Sequence, residues 1–229
     1  MKTLVLLLFA SMLTVACAGL PEIHQSGDHA AAHEGAACER IFPKGQWQFT
    51  HAIEARPPGG SQQTMIGVIR MSHRDRSFEC AMMTLEGLVL FEAHYDGRNI
   101  AIRKAVPPLD TPGLAQGLVA DILLVFFPPQ QRPTASGTLP DRSEICRYAV
   151  EDRGTQDIIV HADGRWEIRR YSANKRLTRT ITTDGSQTGN THGFPSLLEL
   201  KAHSPAGYEL KMRLVEAFPI DEVEKPGSD

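Results

Sequence analysis

Few residues of this chain have the types and spacing that covalent catalysis requires. The nine histidines are scattered, and no G-x-S-x-G, H-E-x-x-H, P-loop or G-x-G-x-x-G motif occurs. Cys80 with His73 or His94 would make a thiol site, but the neighbouring Phe78 and Met82 favour a buried structural thiol. We therefore predict that the protein is not an enzyme, with no catalytic residue and no cofactor.

The strongest chemical signal is a cysteine near the amino terminus. Lys2 and a leucine-rich, uncharged stretch precede Leu13-Thr14-Val15-Ala16-Cys17, which resembles the lipobox of bacterial lipoproteins. In a lipobox, the cysteine thiol takes a diacylglycerol before the signal peptide is cleaved. Two or three acyl chains on Cys17 would hold the mature chain on a membrane without spanning it. The alternative is an ordinary signal peptide with an incidental cysteine.

These features divide the chain into four parts. We predict a lipoprotein signal peptide over 1–16, a lipidated cysteine with a flexible tether over 17–44, a β domain over 45–220 and a disordered tail over 221–229. Ala18, rather than aspartate, follows the lipobox cysteine. This favours the periplasmic face of the bacterial outer membrane over the inner membrane.

Metal binding has little support in the sequence. His24, His29 and His33 lie in the tether, where a chain without fixed geometry favours a solvated linker. No C-x-x-C spacing suited to zinc occurs, so we predict no metal site.

An oxidising compartment predicts one disulfide and one buried thiol, with all three pairings open. The three thiols concerned are Cys38, Cys80 and Cys146.

Composition excludes an extended nucleic-acid surface. The 229-residue chain has a formal net charge of −3, and no run of Lys or Arg exceeds two residues. Hydrophobic residues make up 41% of the chain, which suits a folded core. We predict no nucleic-acid partner.

Eleven segments alternate apolar and polar residues, which is the pattern of half-buried strands. Turn residues such as Asp96-Gly97 and Asp163-Gly164 separate them, so consecutive strands are predicted to pair as antiparallel hairpins. The predicted strands are 47–53, 64–71, 78–83, 88–94, 99–104, 146–151, 157–161, 165–171, 177–183, 196–202 and 208–218.

One segment has the signals of a helix instead. Asp110-Thr111-Pro112 supplies a cap and a first-turn proline, and 113–127 then runs to Pro128-Pro129. Because this helix is apolar on nearly all sides, we predict that it is buried against the concave face of the sheet. Asp121 lies within its apolar stripe, where a strand arginine would pair with it and latch the helix. The arginines considered are Arg70, Arg103 and Arg169, and the alternative is an aspartate at a solvated helix edge.

The lipobox, tether, antiparallel strands and helix after the fifth strand together resemble the LolA/LolB-like superfamily of periplasmic lipoprotein carriers and receptors. Two regions carry the similarity locally, 87–97 leading to 106–109, and 194–200 with 208–214. The closest likeness is to small uncharacterised bacterial outer-membrane lipoproteins of that superfamily. The resemblance implies a mainly β, half-open antiparallel barrel of about eleven strands, with one helix over its concave face and a hollow that accepts acyl chains.

The resemblance also implies a function in lipid or lipoprotein transport. A half-barrel leaves a concave apolar surface that a movable helix can cover and an acyl chain can occupy in its place. We predict a lipid-anchored periplasmic protein that binds lipid or lipoprotein acyl chains. One alternative is a scaffold whose hollow is filled by its own helix and which binds a protein partner, and another is a periplasmic enzyme on the same fold. The predicted lipid-binding residues are Trp47, Phe49, Ile53, Leu88, Leu90, Ile100, Ile102, Leu114, Leu118, Ile122, Phe126, Trp166, Ile168, Tyr208 and Leu210.

Overall fold

A computed structural model describes residues 19–24, 36–107, 109–185, 193–203 and 207–220. The predicted signal peptide, the predicted lipidation site Cys17, His29, His33 and the predicted tail lie outside these residues. The described strands are β1 (Gln46–Arg56), β2 (Gln63–Ser72), β3 (Ser77–Met83), β4 (Val89–Tyr95), β5 (Ile100–Ala105), β6 (Ala135–Thr138), β7 (Glu144–Val150), β8 (Gly154–Val160), β9 (Trp166–Tyr171), β10 (Leu177–Thr183), β11 (Leu197–Ala202) and β12 (Glu209–Pro219). The helices are α1 (Ala36–Glu39) and α2 (Pro112–Phe126), with one 3₁₀ turn at Glu151–Arg153.

All twelve strands belong to one antiparallel sheet whose order is β5-β4-β3-β2-β1-β12-β11-β10-β9-β8-β7-β6. Consecutive strands pair in the sheet, except for β5 and β6, which form its two edges, and β1 also pairs with β12. Gly97 and Gly164 allow two of the tight turns, because their φ angles of 94° and 84° lie in the left-handed region. Since β5 and β6 do not pair, the sheet stays open.

The mainly β, half-open antiparallel architecture predicted from the sequence is confirmed. Each of the eleven predicted strands is present, and α2 lies within one residue of its predicted bounds. The structure has one strand that the sequence did not predict, β6, with the sequence Ala135-Ser136-Gly137-Thr138. It has no apolar alternation of its own, and it becomes a strand by pairing with β7.

Alternation along the strands gives the sheet an inner face, which α2 covers. Phe49 and Ile53 in β1 are buried on this face. Phe126 packs on Phe49 with 5.3 Å between ring centroids, and Phe127 packs on Phe78 at 6.2 Å. The helix that the sequence predicts to be buried therefore lies across the sheet.

The direction of α2 defines two ends of the molecule. Its first turn lies near the β1–β2 turn and the start of β12, and we name this the mouth end. At the other end, Arg76 Nη1 donates a hydrogen bond to the carbonyl of Pro128, just after the helix. In the described ranges, neither helix has the length and hydrophobicity needed to traverse a bilayer.

A disulfide fastens α1 to the sheet. Cys38 is bonded to Cys146 in β7, and Cys80 is a buried free thiol. The prediction of one disulfide with one buried thiol is confirmed, and the pairing that the sequence left open is settled. Residues 36–44, within the range predicted as tether, are thus attached to the β domain.

A second attachment lies closer to the amino terminus. His24 pairs with Thr138 of β6 through backbone hydrogen bonds of 2.9 and 3.0 Å, and Arg147 Nη2 donates to the carbonyl of Pro21 at 2.9 Å. Gly137 permits this approach, because a Cβ there would lie 2.3 Å from the carbonyl oxygen of His24. We name residues 19–24 the N-terminal strap. This part of the predicted flexible tether is docked on the sheet.

Candidate functional site

A cavity of about 570 Å³ opens between the first turns of α2 and the mouth end of the sheet. Its volume falls within the range of about 300–1,000 Å³ that is typical of small-molecule sites. We name it the outer cavity. Its aliphatic lining comes from Met65, Leu90, Val106, Leu109, Leu114, Leu118 and Leu210.

Two glycines of α2 leave room for the outer cavity. Gly113 and Gly117 are four residues apart and therefore lie on one face of the helix. A Cβ at Gly113 would meet nothing within 4 Å, and one at Gly117 would meet only Arg179 Nη2 at 4.0 Å. Glycine is about 1 kcal/mol less favourable than alanine in a helix interior. The two glycines therefore lower the helix propensity of the first half of α2, and they leave the space that the outer cavity occupies.

A smaller cavity of about 80 Å³ lies under the middle of α2, and we name it the inner cavity. It is almost wholly apolar, with Ile53, Phe91 and Ile122 among its lining residues. Leu118 and Leu210 line both cavities, which are therefore adjacent. The hollow beneath the helix thus has an open outer part and a tighter inner part.

A buried polar group stands between the two cavities. Asp121 of α2, only 5% exposed, accepts hydrogen bonds from Arg179 Nε at 2.8 Å and from the Tyr208 hydroxyl. Arg179 also donates to the Thr178 carbonyl at 3.0 Å and lies over the Tyr208 ring. Burial raises the pKa of the Asp121 carboxyl, although the Arg179 guanidinium opposes the shift. Asp121 faces the inner cavity, whereas Arg179 and Tyr208 face the outer one.

The ion pair predicted for Asp121 is present, but with a different arginine. Arg103 and Arg169 pair with glutamates on the sheet, and Arg70 is exposed. Arg179 of β10 takes their place, because its Nε lies 2.8 Å from the Asp121 carboxylate. The alternative of a solvated helix edge is wrong, since the aspartate is buried.

His51 is the second titratable side chain at the inner cavity. Its ring lies 6.1 Å from that of Phe126 and 6.2 Å from that of Phe49. Desolvation by these neighbours lowers the pKa of His51 from 6.5 to about 4. The imidazole is therefore neutral at physiological pH and adds no charge to the inner cavity.

Eight of the fifteen predicted lipid-binding residues line one of the two cavities. From the sheet these are Ile53 and Leu90, together with Tyr208 and Leu210 at the start of β12. From α2 they are Leu114, Leu118, Ile122 and Phe126. The helix stripe is therefore brought against the hollow as the sequence predicts.

The other seven predicted residues lie elsewhere. Phe49 and Trp166 face a separate space of about 20 Å³, Ile168 is fully buried in the core, and Trp47 packs edge-on against Phe194. The remaining three are exposed to solvent. Leu88 lies on the β3–β4 turn and is 59% exposed, while Ile100 and Ile102 lie on the edge strand β5 and are 43% and 40% exposed.

Sequence reasoning missed several lining residues. Met212 alternates with Leu210 on β12, so the period-two pattern could have found it. Leu109 and Val106 follow β5 in an irregular connection, where no periodicity marks them. Only the three-dimensional arrangement brings these two side chains to the cavity.

The thiol–histidine arrangement with His94 does not form. Cys80 is paired with Ala93 in the sheet and His94 with Glu79, so alternation puts the thiol and the imidazole on opposite faces. Burial raises the pKa of Cys80 to about 11, which keeps it an unreactive thiol at neutral pH. Across the described ranges, no group of three or more His, Cys, Asp or Glu side chains is placed to hold a metal ion.

Comparison with solved structures shows the fold of this chain. A LolA superfamily protein from Nitrosomonas europaea is similar over 84% of this chain and 94% of its own, with a TM-score of 0.55 and 12% identity. A domain described as an outer membrane lipoprotein-sorting protein, from Vibrio parahaemolyticus, is similar over 80% of this chain and 89% of its own, with a TM-score of 0.47 and 8% identity. A search of curated proteins finds no significant match.

The sequence itself matches a family profile over most of the β domain. The profile is that of the family described as "Protein of unknown function (DUF3261)", and it covers residues 48–189. This range runs from β1 through β10 and includes the whole of α2. The predicted resemblance to the LolA/LolB-like superfamily is confirmed by the shared fold. The chain therefore belongs to the DUF3261 family and has the fold of the LolA superfamily.

Proposed function

We propose that this protein binds the acyl chains of lipids or lipoproteins in the outer cavity, and so takes part in lipid or lipoprotein handling at the outer membrane. The observation that carries the proposal is an apolar cavity of about 570 Å³ roofed by α2. An acyl chain suits such walls because it needs no hydrogen bonds and gains about 0.8 kcal/mol for each methylene buried. The fold shared with a LolA superfamily protein is consistent with this use of the hollow.

In this proposal α2 is a movable cover and Asp121 is its latch. The helix meets the sheet through apolar side chains, which an acyl chain can replace with similar contacts. The ion pair with Arg179 is the strong polar link from the middle of the helix to a strand. A ligand that reached the inner cavity would have to displace the helix and break this link.

The proposed location rests on the amino-terminal sequence. Lipidation of Cys17 would anchor the chain on the periplasmic face of the outer membrane. The mass of the mature protein from membranes tests this: a diacylglycerol-modified amino terminus is expected, and Cys17→Ala should abolish that modified species. An unmodified terminus on Cys17 or a nearby residue would overturn the anchor and leave the cavity proposal standing.

Binding is tested on the full chain carrying Cys17→Ala, so that no covalent acyl chain competes. Native mass spectrometry after gentle purification should find acyl lipid at close to one per chain. Gly117→Leu should fill the outer cavity and lower the affinity for hexadecanoate at least tenfold. Gly117→Ala is the matched control, because a methyl group at this position meets no atom closer than 4.0 Å. Equal binding by both variants, or none by the unaltered cavity, would contradict the proposal.

One observation favours a second candidate, a scaffold whose hollow is filled by its own helix. Beneath the middle of α2 only about 80 Å³ is left, so the helix itself occupies the inner part of the hollow. In that case the surface away from α2 would bind a protein partner. Absence of co-purified lipid, together with slow hydrogen exchange along the whole of α2, would support the scaffold over the carrier.

A further inference from the structure

We infer that the outer cavity selects acyl ligands with an anionic head group, which binds between the guanidinium groups of Arg179 and Arg56. This inference rests on the proposed function and adds to it the charge class of the ligand. Both arginines line the outer cavity, at the mouth end where its aliphatic wall meets solvent.

The charge of the cavity wall is one-sided. Among the described residues that line it, Arg56 and Arg179 are the two charged ones, and none is an aspartate or glutamate. The first turn of α2 adds to the same sign, because Gly113 lines the cavity and a helix carries a partial positive charge at its amino end. A cationic head group would meet two guanidinium groups at this wall, although each of them is also paired with a carboxylate outside the lining.

Arg179 is held in place and still presents a donor edge. Its Nε is engaged by Asp121 and its Nη1 by the Thr178 carbonyl, which fixes the plane of the guanidinium. Nη2 lies on the side of Gly117, 4.0 Å from the position that a Cβ would take. A carboxylate or phosphate oxygen entering past Gly117 would therefore reach a positioned, permanently charged donor.

Arg56 supplies the second guanidinium from the end of β1. Its ion pair with Glu209 is long, at 3.6 Å between Nη1 and Oε2, and the two side chains are 60% and 40% exposed. Exposed pairs of this kind contribute little to stability, so Arg56 can turn to a ligand at small cost. Two arginines at one mouth suit an anionic oxygen head group such as a carboxylate or a phosphate.

The test compares four single-chain probes of equal length on the Cys17→Ala chain. We expect hexadecanoate and hexadecyl phosphate to bind ten- to a hundredfold more tightly than hexadecanol, as charge-assisted hydrogen bonds imply. Hexadecyltrimethylammonium should bind more weakly than hexadecanol. The ratio between the two anions then separates a fatty-acid carboxylate from a lipid phosphate as the preferred head group.

Variants assign the preference to the two arginines. Arg56→Gln removes an exposed charge and should reduce the preference for anions over hexadecanol about fivefold without changing the melting temperature. Arg179→Lys keeps a charge for Asp121, loses the planar donor edge, and should reduce the preference further. Arg98→Gln, an exposed arginine on the β4–β5 turn away from the mouth, is the matched control and should leave the preference unchanged.

The outcomes separate this inference from the proposed function. Equal affinities for hexadecanol and the two anions, or an unchanged preference in both Arg56→Gln and Arg179→Lys, would overturn the head-group inference while acyl-chain binding stands. Failure of all four probes to bind would instead remove the proposed function itself.

Discussion

Asp121 joins α2 to the sheet through two side chains, Arg179 and Tyr208. Replacing it by Asn keeps the shape but removes the charge, so Arg179 loses its ion pair in a half-buried site. We expect the free energy of unfolding to fall by about 1–3 kcal/mol. Amide hydrogen exchange across 114–127 should become faster, because the helix loses its polar link to β10.

A surface ion pair provides the control for Asp121→Asn. Asp163 pairs with Arg165 at 2.7 Å, but both side chains are more than half exposed. Asp163→Asn should change the free energy of unfolding far less than Asp121→Asn does and leave exchange in α2 as it was. Exchange in α2 that is equally slow in both variants would reject the latch.

His51 predicts a pH dependence of stability at the inner cavity. Its pKa of about 4 in the folded protein lies below the ordinary 6.5, so the unfolded chain binds the proton more readily. The neutral imidazole contributes fully to the free energy of unfolding above about pH 6.5. This contribution, up to about 3 kcal/mol, is lost as the pH falls toward 4. Asp121 lines the same cavity, but it is present in both the wild type and a His51 variant, so its own effect on the pH dependence cancels when the two are compared.

The measurement compares urea unfolding at pH 4.5 and 7.5 for the wild type and His51→Leu. The variant should lose less stability at pH 4.5 than the wild type, because leucine cannot bind a proton. An equal loss in the two proteins would show that His51 does not control acid stability.

At the residue scale, the sequence predicts the burial of Asp121 better than its partner. Helical periodicity puts Asp121 in the apolar stripe, and the structure finds it buried. The choice of Arg179 over Arg70, Arg103 or Arg169 depends on which strand brings a guanidinium group within reach of Asp121. No local pattern carries that information.

The disulfide is the covalent link between α1 and the sheet. Cys38 and Cys146 are 108 residues apart, so the cross-link restricts a large loop of the unfolded chain. Cys38→Ser with Cys146→Ser should lower the free energy of unfolding by about 4 kcal/mol. Chemical denaturation measures the loss, and Cys80→Ala is the control that leaves the cross-link intact.

A loss no greater than that of Cys80→Ala would show that the rest of the domain holds α1 without the bond. Native hydrogen exchange of α1 and β7 in the double variant would locate any loosening. We expect it to be strongest there, since α1 contacts β7 and β8.

Elements with their own periodicity were predictable, whereas elements formed by their neighbours were not. The strongly alternating strands and the capped, apolar α2 follow from the sequence alone. β6 and the strap exist because β7 and then β6 offer an edge to pair with. Such pairing depends on the completed sheet. The sequences of β6 and the strap therefore carry no strand periodicity from which the pairing could be predicted.

At the scale of the whole molecule, the N-terminal strap covers one of the two sheet edges. Gly137→Val would place a side chain where the carbonyl of His24 lies, 2.3 Å from the Cβ position, and should displace the strap. Valine suits a strand, so β6 itself should persist with its outer edge exposed. We expect faster hydrogen exchange at His24 and Thr138 and a concentration-dependent dimer in sedimentation velocity.

A monomer with unchanged exchange at both residues would contradict this role for the strap. Gly117→Ala serves as the control, because the methyl group that it adds to α2 meets only Arg179 Nη2, at 4.0 Å, and neither β6 nor the strap. It should leave both readings as in the wild type.

The buried Asp121 group has a consequence for ligand size. The outer and inner cavities meet at Leu118 and Leu210, and Asp121 with its two partners stands at that junction. If acyl chains bind as proposed, with the head group at Arg179, each added methylene should tighten binding until the tail has covered the aliphatic wall of the outer cavity. Longer tails would then gain nothing unless the helix lifts and opens the inner cavity. The ion pair would therefore set a length cutoff, because it keeps the inner cavity closed to the tail.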